Sequence, residues 1–326
     1  MPSRSILDRL KAGEILLLDG ATGTELHRRG VTISKGAVSK QRTTARSPIQ
    51  PAIAGSLGVW SAAANLEAPD VVKQIHEDYL KLGSDIIISN NFYTSKSMMA
   101  TIGKQDQWEE YTRRGGELAV EVRNALNPEA YVAGGFAPTE YDGDHREELE
   151  DTARILAATG VDFLIAEYFG GDTTHDTPIK DCVTAVDALA KENLPVFLGV
   201  CCLNEDGSMY RGESLTELVA ALKGHPVDGI FLMCSRPDAI SAGLPELRKA
   251  FGGFVGAYAE IGYEENPKFG SSPEEEFFTI DTKFCPPEKY AEYAREWKKI
   301  GAQIIGACCA STPEHIKAIA PIVKGK

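Results

Sequence analysis

The stretch Asp85-Ile86-Ile87-Ile88-Ser89 places three consecutive isoleucines between polar residues. A strand with one face in solvent alternates apolar and polar residues, whereas a strand of a parallel sheet covered on both faces is apolar throughout. This run therefore predicts a buried strand of an α/β structure. The segment just before it, residues 69–82, is predicted to be helical.

Short apolar runs of the same kind recur along the 326 residues. The predicted strands are residues 15–19, 85–89, 131–134, 163–167, 196–200, 229–233, 254–257 and 303–306. Segments with helical periodicity or helix-start signals, such as 214–222 and 286–299, follow them. Strands that alternate with helices in this way predict a single (β/α)₈ TIM barrel spanning residues 1–326, with an open doubly wound sheet as the alternative.

Residues 31–58 interrupt this pattern with a long segment that is rich in small and turn-forming residues and has no acidic residue. It is predicted to be an inserted loop, either a mobile surface insertion or a lid over the active face. A second irregular stretch, residues 262–284, is predicted to line the same face.

The charge balance limits the partners that the chain can bind. There are 47 acidic residues against 34 Lys and Arg, a formal net charge of −13, which argues against nonspecific binding of nucleic acid or of an anionic membrane surface. A small cationic or zwitterionic ligand fits this charge better. The sequence has no apolar run of about 18 residues for a membrane span and no apolar core for a secretion signal, so we expect a cytoplasmic protein.

Polar and sulfur-containing residues cluster where the predicted strands end. In a barrel of this type, the active site is built from the carboxyl ends of the strands and the loops that follow. The residues at these ends are Asp19-Gly20, Asn90-Asn91-Phe92-Tyr93, Glu167-Tyr168-Phe169, Cys234 and Cys308-Cys309.

Seven cysteines, two pairs of them adjacent in sequence, favour metal or thiol chemistry over a disulfide framework. Cys234 together with Cys308 and Cys309 would provide three thiolates and one open position, the arrangement of a catalytic zinc site. Spacing alone leaves two alternatives open. The adjacent pair Cys201-Cys202 is a rival set of ligands, and all of these residues are also compatible with buried structural thiols.

The motif Asp19-Gly20-Ala21-Thr22-Gly23-Thr24-Glu25-Leu26, the cysteine after the sixth strand and Gly306-Ala307-Cys308-Cys309 together resemble the homocysteine S-methyltransferase family. The resemblance extends from about residue 13 to residue 323. It implies a zinc-bearing barrel with Cys234, Cys308 and Cys309 as ligands, and without Cys201 and Cys202. The sequence departs from the family at Ala21 and Ala307, where the family commonly has glycine.

Within the family, residues 162–169, Phe92-Tyr93 and Trp60 are most similar to the betaine–homocysteine methyltransferases. This resemblance implies that Trp60, Tyr93 and Tyr168 hold the methylated ammonium group of the donor. Aromatic faces attract a quaternary cation and do not require it to donate hydrogen bonds. The alternative is that each of these aromatic rings only packs in the core or at the rim of the barrel and binds no ligand.

The same resemblance implies that Glu167 binds the amino group of homocysteine, while Asp19 and the backbone of Gly20 and Ala21 close the pocket. Asn90 and Asn91 are candidates for orienting either substrate, and the pair Gly134-Gly135 is expected to leave space for substrate. The alternative for the carboxylates is a helix cap or a buried ion pair.

The implied activity is zinc-dependent transfer of a methyl group from a betaine-like onium donor to the thiol of homocysteine, which gives methionine. Two alternatives stay open: a sulfonium donor, such as S-methylmethionine or dimethylsulfoniopropionate, and a non-catalytic barrel that uses its thiols for metal storage or redox sensing. Methyltetrahydrofolate as donor would need a cobalamin module, for which we expect no room after residue 326. A homo-oligomer is compatible with the sequence, which does not define the oligomeric state.

Overall fold

The computed structural model describes residues 2–36, 58–138, 145–171, 177–201, 203–262 and 282–325. Its strands are β1 Leu16–Leu17, β2 Ile86–Ile88, β3 Tyr131–Phe136, β4 Phe163–Phe169, β5 Val196–Val200, β6 Gly229–Met233, β7 Phe254–Ala259 and β8 Ile304–Ala307.

All neighbouring strands are parallel and follow one another in chain order around the sheet, with β1 also paired to β8. A parallel bridge between Leu18 and Ile86 joins β1 to β2. This bridge closes the barrel, so the predicted (β/α)₈ fold is confirmed.

One helix precedes β1 and packs against the interior core, and helices that follow the strands cover the outside of the barrel. The helices are α1 Ile6–Lys11, α2 Gly23–Arg28, α3 Ala64–Glu67, α4 Pro69–Lys81, α5 Lys96–Ala100, α6 Trp108–Leu126, α7 His145–Ala157, α8 Pro178–Leu189, α9 Leu215–Ala221, α10 Pro237–Ala250, α11 Pro287–Ile300 and α12 Pro313–Lys324. Short 3₁₀ turns lie at Gln105–Gln107 and Ala190–Glu192. The local sequence explains where several of these helices begin. Ser214 and Glu217 form a capping box at the amino terminus of α9, and a proline is the first residue of α4, α8 and α10.

Two apolar cores result from the alternation of side chains along each strand. One core lies between the strands and the surrounding helices, and the other fills the barrel interior. Inside the barrel, the ring centroid of Phe197 lies 5.0 Å from that of Phe163 and 5.1 Å from that of Phe231. These rings fill the interior, so they leave no space for a ligand inside this part of the barrel.

The amino-terminal ends of the strands share a repeated hydrogen bond. Asp85, Asp162 and Asp228 each stand just before an even-numbered strand, and each carboxylate accepts the N–H of a residue in the preceding strand. The distances from donor nitrogen to carboxylate oxygen are 3.0, 2.7 and 2.9 Å, respectively. The aspartates thus pair strands at the end of the barrel opposite the polar residues singled out above.

Some strand boundaries in the structure differ from those predicted from the sequence. Strand β4 continues to Phe169 instead of ending at residue 167, and its pairing with β5 shifts register between Ala166 and Phe169. Residues 37–57 of the predicted lid and residues 263–281 of the second irregular stretch lie outside the described residues. None of the helices in the described ranges is both long and apolar enough to cross a bilayer.

Candidate active site

One cleft opens at the carboxyl ends of β1, β2, β4, β6, β7 and β8. Most of the predicted site residues line it: Asp19, Gly20, Ala21, Trp60, Glu167, Tyr168, Cys234, Cys308 and Cys309. Two predicted residues, Tyr93 and Asn91, are not part of this lining. The barrel therefore gathers into one place residues that are up to 290 positions apart in sequence.

The sulfur atoms of Cys234, Cys308 and Cys309 all lie within 4.8 Å of one another. The sulfur of Cys309 is 3.6 Å from that of Cys234 and 3.9 Å from that of Cys308. A tetrahedral ion with metal–sulfur bonds of about 2.3 Å sets its sulfur ligands about 3.8 Å apart. The cluster therefore has the dimensions of a thiolate metal site. Within the described residues, no other group of three or more His, Cys, Asp or Glu side chains is close enough to share an ion.

A tight turn allows two adjacent cysteines to share one site. Neighbouring residues on a regular strand point to opposite faces, but Cys308 and Cys309 follow the last residue of β8. The N–H of Ser311 donates to the carbonyl of Cys308 at 3.2 Å, and Ala310 between them has a left-handed backbone with φ of 63°. This turn places both sulfurs on the same side.

Backbone hydrogen bonds to β7 hold the cysteine-bearing segments in place. The N–H of Cys308 donates to the carbonyl of Ala259 at 2.8 Å, and the N–H of Cys234 donates to the carbonyl of Tyr258 at 3.0 Å. Cys234 also has a positive φ of 39°, which turns the chain at the end of β6. The two segments are therefore anchored to the same strand.

The three thiols also affect one another electrostatically. Hydrogen bonds from the thiols of Cys234 and Cys308 lower the pKa of the Cys309 thiol well below its usual range. The thiolate is the form of cysteine that binds a metal ion. The hydrogen bonds within the cluster therefore favour a thiolate at Cys309.

Two buried carboxylates lie beside the sulfur cluster. Asp19 is 2% exposed, and its Oδ2 accepts the N–H of Ile88 at 2.9 Å. Burial raises the pKa of Asp19 well above its usual range and raises the pKa of Glu167 to about 7. Both shifts reflect the cost of a buried negative charge, a cost that a cationic ligand group would offset.

Glu167 and Tyr168 project into the cleft because β4 is irregular at this point. Tyr168 has a left-handed backbone with φ of 66°, and its N–H points to the sulfur of Met233 at 3.1 Å. A Cβ atom on Gly135 would lie 2.6 Å from Oε2 of Glu167. The space at Gly135, which was expected to be for substrate, thus holds the Glu167 carboxylate, and Gly134 faces Leu164 in the outer core.

Four aromatic residues, Trp60, Phe92, Tyr93 and Tyr168, belong to one apolar cluster against which Cys309 also packs. The ring centroid of Phe92 is 4.6 Å from that of Tyr93 and 5.4 Å from that of Tyr168. Phe92 lines the cleft, while Tyr93 is buried behind it. The predicted aromatic residues are therefore gathered next to the sulfurs, with Phe92 as a ring that the sequence analysis did not assign to the site.

Trp60 is positioned by the two ends of the inserted loop. Its carbonyl accepts the N–H of Ser34 at 2.8 Å, and the N–H of Val59 donates to the carbonyl of Lys35 at 2.9 Å. A Cβ atom on Gly23 would lie 2.3 Å from Nε1 of Trp60. The indole thus packs directly on the backbone of α2, which only glycine at this position allows.

The two asparagines after β2 mainly support the scaffold. The side-chain nitrogen of Asn91 donates to the carbonyl of Thr112 in α6 at 2.8 Å. Asn90 lines the cleft, but its side-chain nitrogen donates to the carbonyl of Ser61 and to the side chain of Asn65. The structure thus places Asn91 against a helix, and its proposed contact with substrate stays a prediction.

The backbone at Ala21 is likewise engaged by neighbouring side chains. Its N–H donates to Oγ of Ser311 at 3.0 Å, and its carbonyl accepts the hydroxyl of Tyr79 at 2.9 Å. A Cβ atom on Gly20 would lie 2.9 Å from that hydroxyl. The first loop of the barrel is therefore packed against α4 and the segment after β8.

Among the residues that sequence reasoning missed are Tyr258 and Met233, which line the cleft, and Glu260, which lies close to the sulfurs. The hydroxyl of Tyr258 donates to Oε1 of Glu167 at 3.1 Å. Glu260 directly follows β7, is 1% exposed, and has Oε2 4.0 Å from the sulfur of Cys234. The polar residues around the end of strand seven were the available signal for Tyr258 and Glu260.

Cys201, one member of the rival cysteine pair, follows β5 and is fully buried. It is not a member of the three-sulfur group. Cys202 lies outside the described residues.

The fold and the cleft define a class of protein: a TIM barrel with three clustered cysteines at its open end, beside buried carboxylates and aromatic rings. The sequence profile of the homocysteine S-methyltransferase family matches residues 16–323. The chain belongs to this family, as its motifs predicted.

Individual relatives agree with this assignment. The chain is 29% identical to an S-methylmethionine–homocysteine S-methyltransferase of Pongo abelii, with 97% of this chain and 80% of that protein covered. It is 26% identical to a betaine–homocysteine S-methyltransferase of Bos taurus, with 97% and 74% covered. The metallated Escherichia coli homocysteine methyltransferase MmuM has a similar fold, with a TM-score of 0.69, 23% identity and coverage of 96% and 97%.

Proposed function

We propose that this protein uses a zinc ion held by Cys234, Cys308 and Cys309 to transfer a methyl group from a small onium compound to the sulfur of homocysteine. Membership in the homocysteine S-methyltransferase family makes the protein an enzyme of methyl transfer to homocysteine. The metal, the residue roles and the donor are our proposals. The observation that carries them is the three-sulfur cluster, which lies in one cleft with Glu167 and the aromatic residues.

Zinc fits the donor set. Thiolates are soft ligands that favour zinc over magnesium or calcium, and the sulfur separations of 3.6 and 3.9 Å match tetrahedral coordination. Three protein ligands leave a fourth position for the substrate sulfur. When bound there, zinc supplies the Lewis acidity that keeps the homocysteine sulfur deprotonated at neutral pH.

Glu167 and Asp19 are proposed to bind the ammonium group of homocysteine. Both carboxylates line the cleft, and burial disfavours their charged forms. An ammonium group would form charge-assisted hydrogen bonds and restore the charged carboxylates. The hydroxyl of Tyr258 would keep Glu167 oriented for this contact.

The aromatic cluster, consisting of Trp60, Phe92, Tyr93 and Tyr168, is proposed to hold the onium group of the donor. Cation–π attraction suits a methylated cation that has no hydrogen to donate. Because Cys309 packs on the same cluster, a cation bound there lies next to the metal site. The protein's contribution is to align the methyl carbon with the substrate sulfur and to exclude water.

The reaction needs no general acid from the protein. A bond forms between the homocysteine sulfur and the methyl carbon, while the bond from that carbon to the onium atom breaks. Its electron pair stays on the onium atom, which leaves as a neutral amine or sulfide. The positive charge on the donor fades during this step, so the aromatic rings serve mainly to position and desolvate it.

Two types of methyl donor are candidates, an ammonium compound and a sulfonium compound. The name of the Bos taurus relative gives betaine as its donor, and the name of the Pongo abelii relative gives S-methylmethionine. A panel with homocysteine as acceptor and betaine, S-methylmethionine and dimethylsulfoniopropionate as donors separates them. We expect methionine with at least one donor and one equivalent of bound zinc.

Cys309→Ser is expected to remove zinc and turnover together, because two thiolates and a hydroxyl bind zinc far more weakly than three thiolates do. Zinc content is measured by metal analysis beside methionine formation. Cys201→Ala is the matched control, since it changes a buried cysteine outside the cluster. Full zinc content in Cys309→Ser would refute the ligand assignment. One equivalent of zinc without methyl transfer from any onium donor would favour a non-catalytic thiol barrel.

A further inference from the structure

The segment that carries two of the proposed zinc ligands is tied to the first helix after β1. Strands β1 and β8 are neighbours in the barrel, so α2 lies beside the turn that follows Cys309. From the end of α2, Arg28 donates from Nη1 to the carbonyl of Ser311 at 2.8 Å and from Nη2 to the carbonyl of Ala310 at 2.6 Å. One guanidinium group thus binds two consecutive carbonyls directly after the cysteine pair.

A buried acidic residue orients this arginine. Oε1 of Glu25, one turn earlier on α2, accepts from Nη1 of Arg28 at 2.7 Å. The side chain of Glu25 is 7% exposed and that of Arg28 is 21% exposed. The planar guanidinium group is therefore held between a carboxylate and the loop, a geometry that an ammonium group cannot reproduce.

The bound turn has a backbone that needs outside support. Ala310 has φ of 63°, a conformation that disfavours residues with a Cβ atom. The N–H of Ala310 donates to Oγ1 of Thr24, also in α2, at 3.2 Å. Thus side chains of α2 bind both the N–H and the carbonyl of Ala310. The conformation of Ala310 is the one that places the sulfurs of Cys308 and Cys309 on the same side.

We propose that Arg28 is a positioning residue for the metal site, which holds the turn at Ala310 and Ser311 so that Cys308 and Cys309 bind one zinc ion. This inference rests on the zinc site of the proposed function. Arg28 touches no substrate in this scheme and acts only through the geometry of the ligand-bearing turn. Its effect is therefore expected in zinc retention as well as in turnover.

The chain offers a matched control in the next residue. The side chain of Arg29 is 24% exposed, and it pairs with Asp78 of α4 at 2.8 Å and with Glu25 at 3.5 Å. Arg29, the residue that directly follows α2, thus has the same charge, a similar exposure and one acidic partner in common with Arg28. One of its ion pairs leads to α4 and the other to Glu25, and neither partner belongs to the ligand-bearing turn.

The test compares Arg28→Met, Arg28→Lys and Arg29→Met as zinc-loaded full-length proteins. The rate of zinc release to a chromogenic chelator is followed by absorbance, and circular dichroism checks the fold. We expect Arg28→Met to release zinc about 10- to 100-fold faster than the wild type, in line with losses of other groups that orient metal ligands. Arg28→Lys should recover part of this loss because it keeps one charged donor, and Arg29→Met should match the wild type.

Equal release rates in Arg28→Met and Arg29→Met would overturn the proposal while leaving the proposed function intact. A wild-type protein that binds no zinc would overturn both. If Arg28→Met does not fold, Arg28→Lys decides: release faster than from Arg29→Met supports the positioning role, and release at the same rate contradicts it.

Discussion

Strained backbone conformations mark the site at the scale of single residues. Trp60, Tyr168, Cys234 and Ala310 all have positive φ although none is glycine, and all lie in or next to the cleft. Such conformations persist only where surrounding contacts impose them. At each of these positions the chain turns a ring or a sulfur toward the cleft, so the strain is linked to the arrangement of the site.

The ring of Tyr168 is expected to contribute directly to donor binding. In Tyr168→Leu, the KM for the donor should rise about 2- to 30-fold, which corresponds to the loss of about 0.5–2 kcal/mol of cation–π attraction. Initial rates measured at varied donor and fixed homocysteine test this. Tyr168→Phe keeps the ring and is expected to stay close to the wild type. If both variants raise the KM equally, the ring does not bind the cation.

His76 makes the stability of the protein depend on pH. It is fully buried in α4, neither ring nitrogen has a hydrogen-bond partner in the part of the chain that the structure describes, and burial lowers its pKa to about 4. The unfolded chain, with a pKa near 6.5, binds a proton that the folded protein excludes. Stability from this group is thus fully present above pH 6.5 and is lost as the pH falls toward 4, by about 2 kcal/mol at pH 5.

His76→Leu removes this titrating group. Chemical unfolding at pH 7.5 and pH 5 should therefore show a loss of stability on acidification that is about 2 kcal/mol smaller in the variant than in the wild type. The same pH dependence in both proteins would contradict the assignment.

At the scale of elements, the two ends of each strand have separate tasks. The amino-terminal ends carry the aspartates that pair neighbouring strands, Asp85, Asp162 and Asp228, and the carboxyl ends carry the residues of the cleft. This division is general in barrels of this type, where one end supports stability and the other supports chemistry. It keeps the buried charge and the strained backbone of the site away from the aspartates that pair the strands.

Asp228→Ala tests the stabilising role of these aspartates. The carboxylate accepts the N–H of Val196 at 2.9 Å, so its removal leaves a strand N–H without this partner and should cost roughly 1–3 kcal/mol. Asp151→Ala, at an exposed ion pair with Arg154, should change stability by less than about 0.5 kcal/mol. Urea unfolding of both variants measures the difference. Equal effects would show that the bond to β5 adds no stability.

For the whole molecule, the proposed metal site lies at the edge of the barrel core, where Cys234 belongs to the interior apolar cluster and Cys308 and Cys309 pack against it. The barrel interior and the layer between strands and helices are filled by side chains, and the sulfur cluster lies above them at the cleft. Closure by the Leu18–Ile86 bridge does not involve the cysteines. We therefore expect the fold not to depend on a metal in the way that a zinc finger does.

Removal of zinc with a chelator should leave the barrel folded. The far-UV circular dichroism spectrum is expected to stay unchanged. Free zinc at 100 times its Kd adds about 2.7 kcal/mol of stability, so its removal should lower the melting temperature by roughly 4 °C. Added zinc should restore the melting temperature. Cooperative unfolding upon chelation would show that the metal is part of the fold.

The sequence by itself determined the architecture and the chemistry of the strand ends. Continuous apolar runs such as Ile86–Ile88 specify buried parallel strands because such strands have no solvent face. The motifs at Asp19 and at Cys308-Cys309 were sufficient for the family, which the profile match confirms. These features are local in the chain, so a pattern of adjacent residues reveals them.

Only the tertiary structure decided which residues meet. Arg28 donates hydrogen bonds to the carbonyls of Ala310 and Ser311, and Gly135 leaves room for the carboxylate of Glu167. Phe92 lines the cleft, whereas the predicted Tyr93 does not. All of these features depend on contacts between distant segments. The register shift in β4 and the positive φ values of Tyr168 and Ala310 cannot be read from the sequence, because tyrosine and alanine do not favour such conformations by themselves. Packing against neighbouring strands and helices imposes these conformations, and packing is a property of the closed barrel.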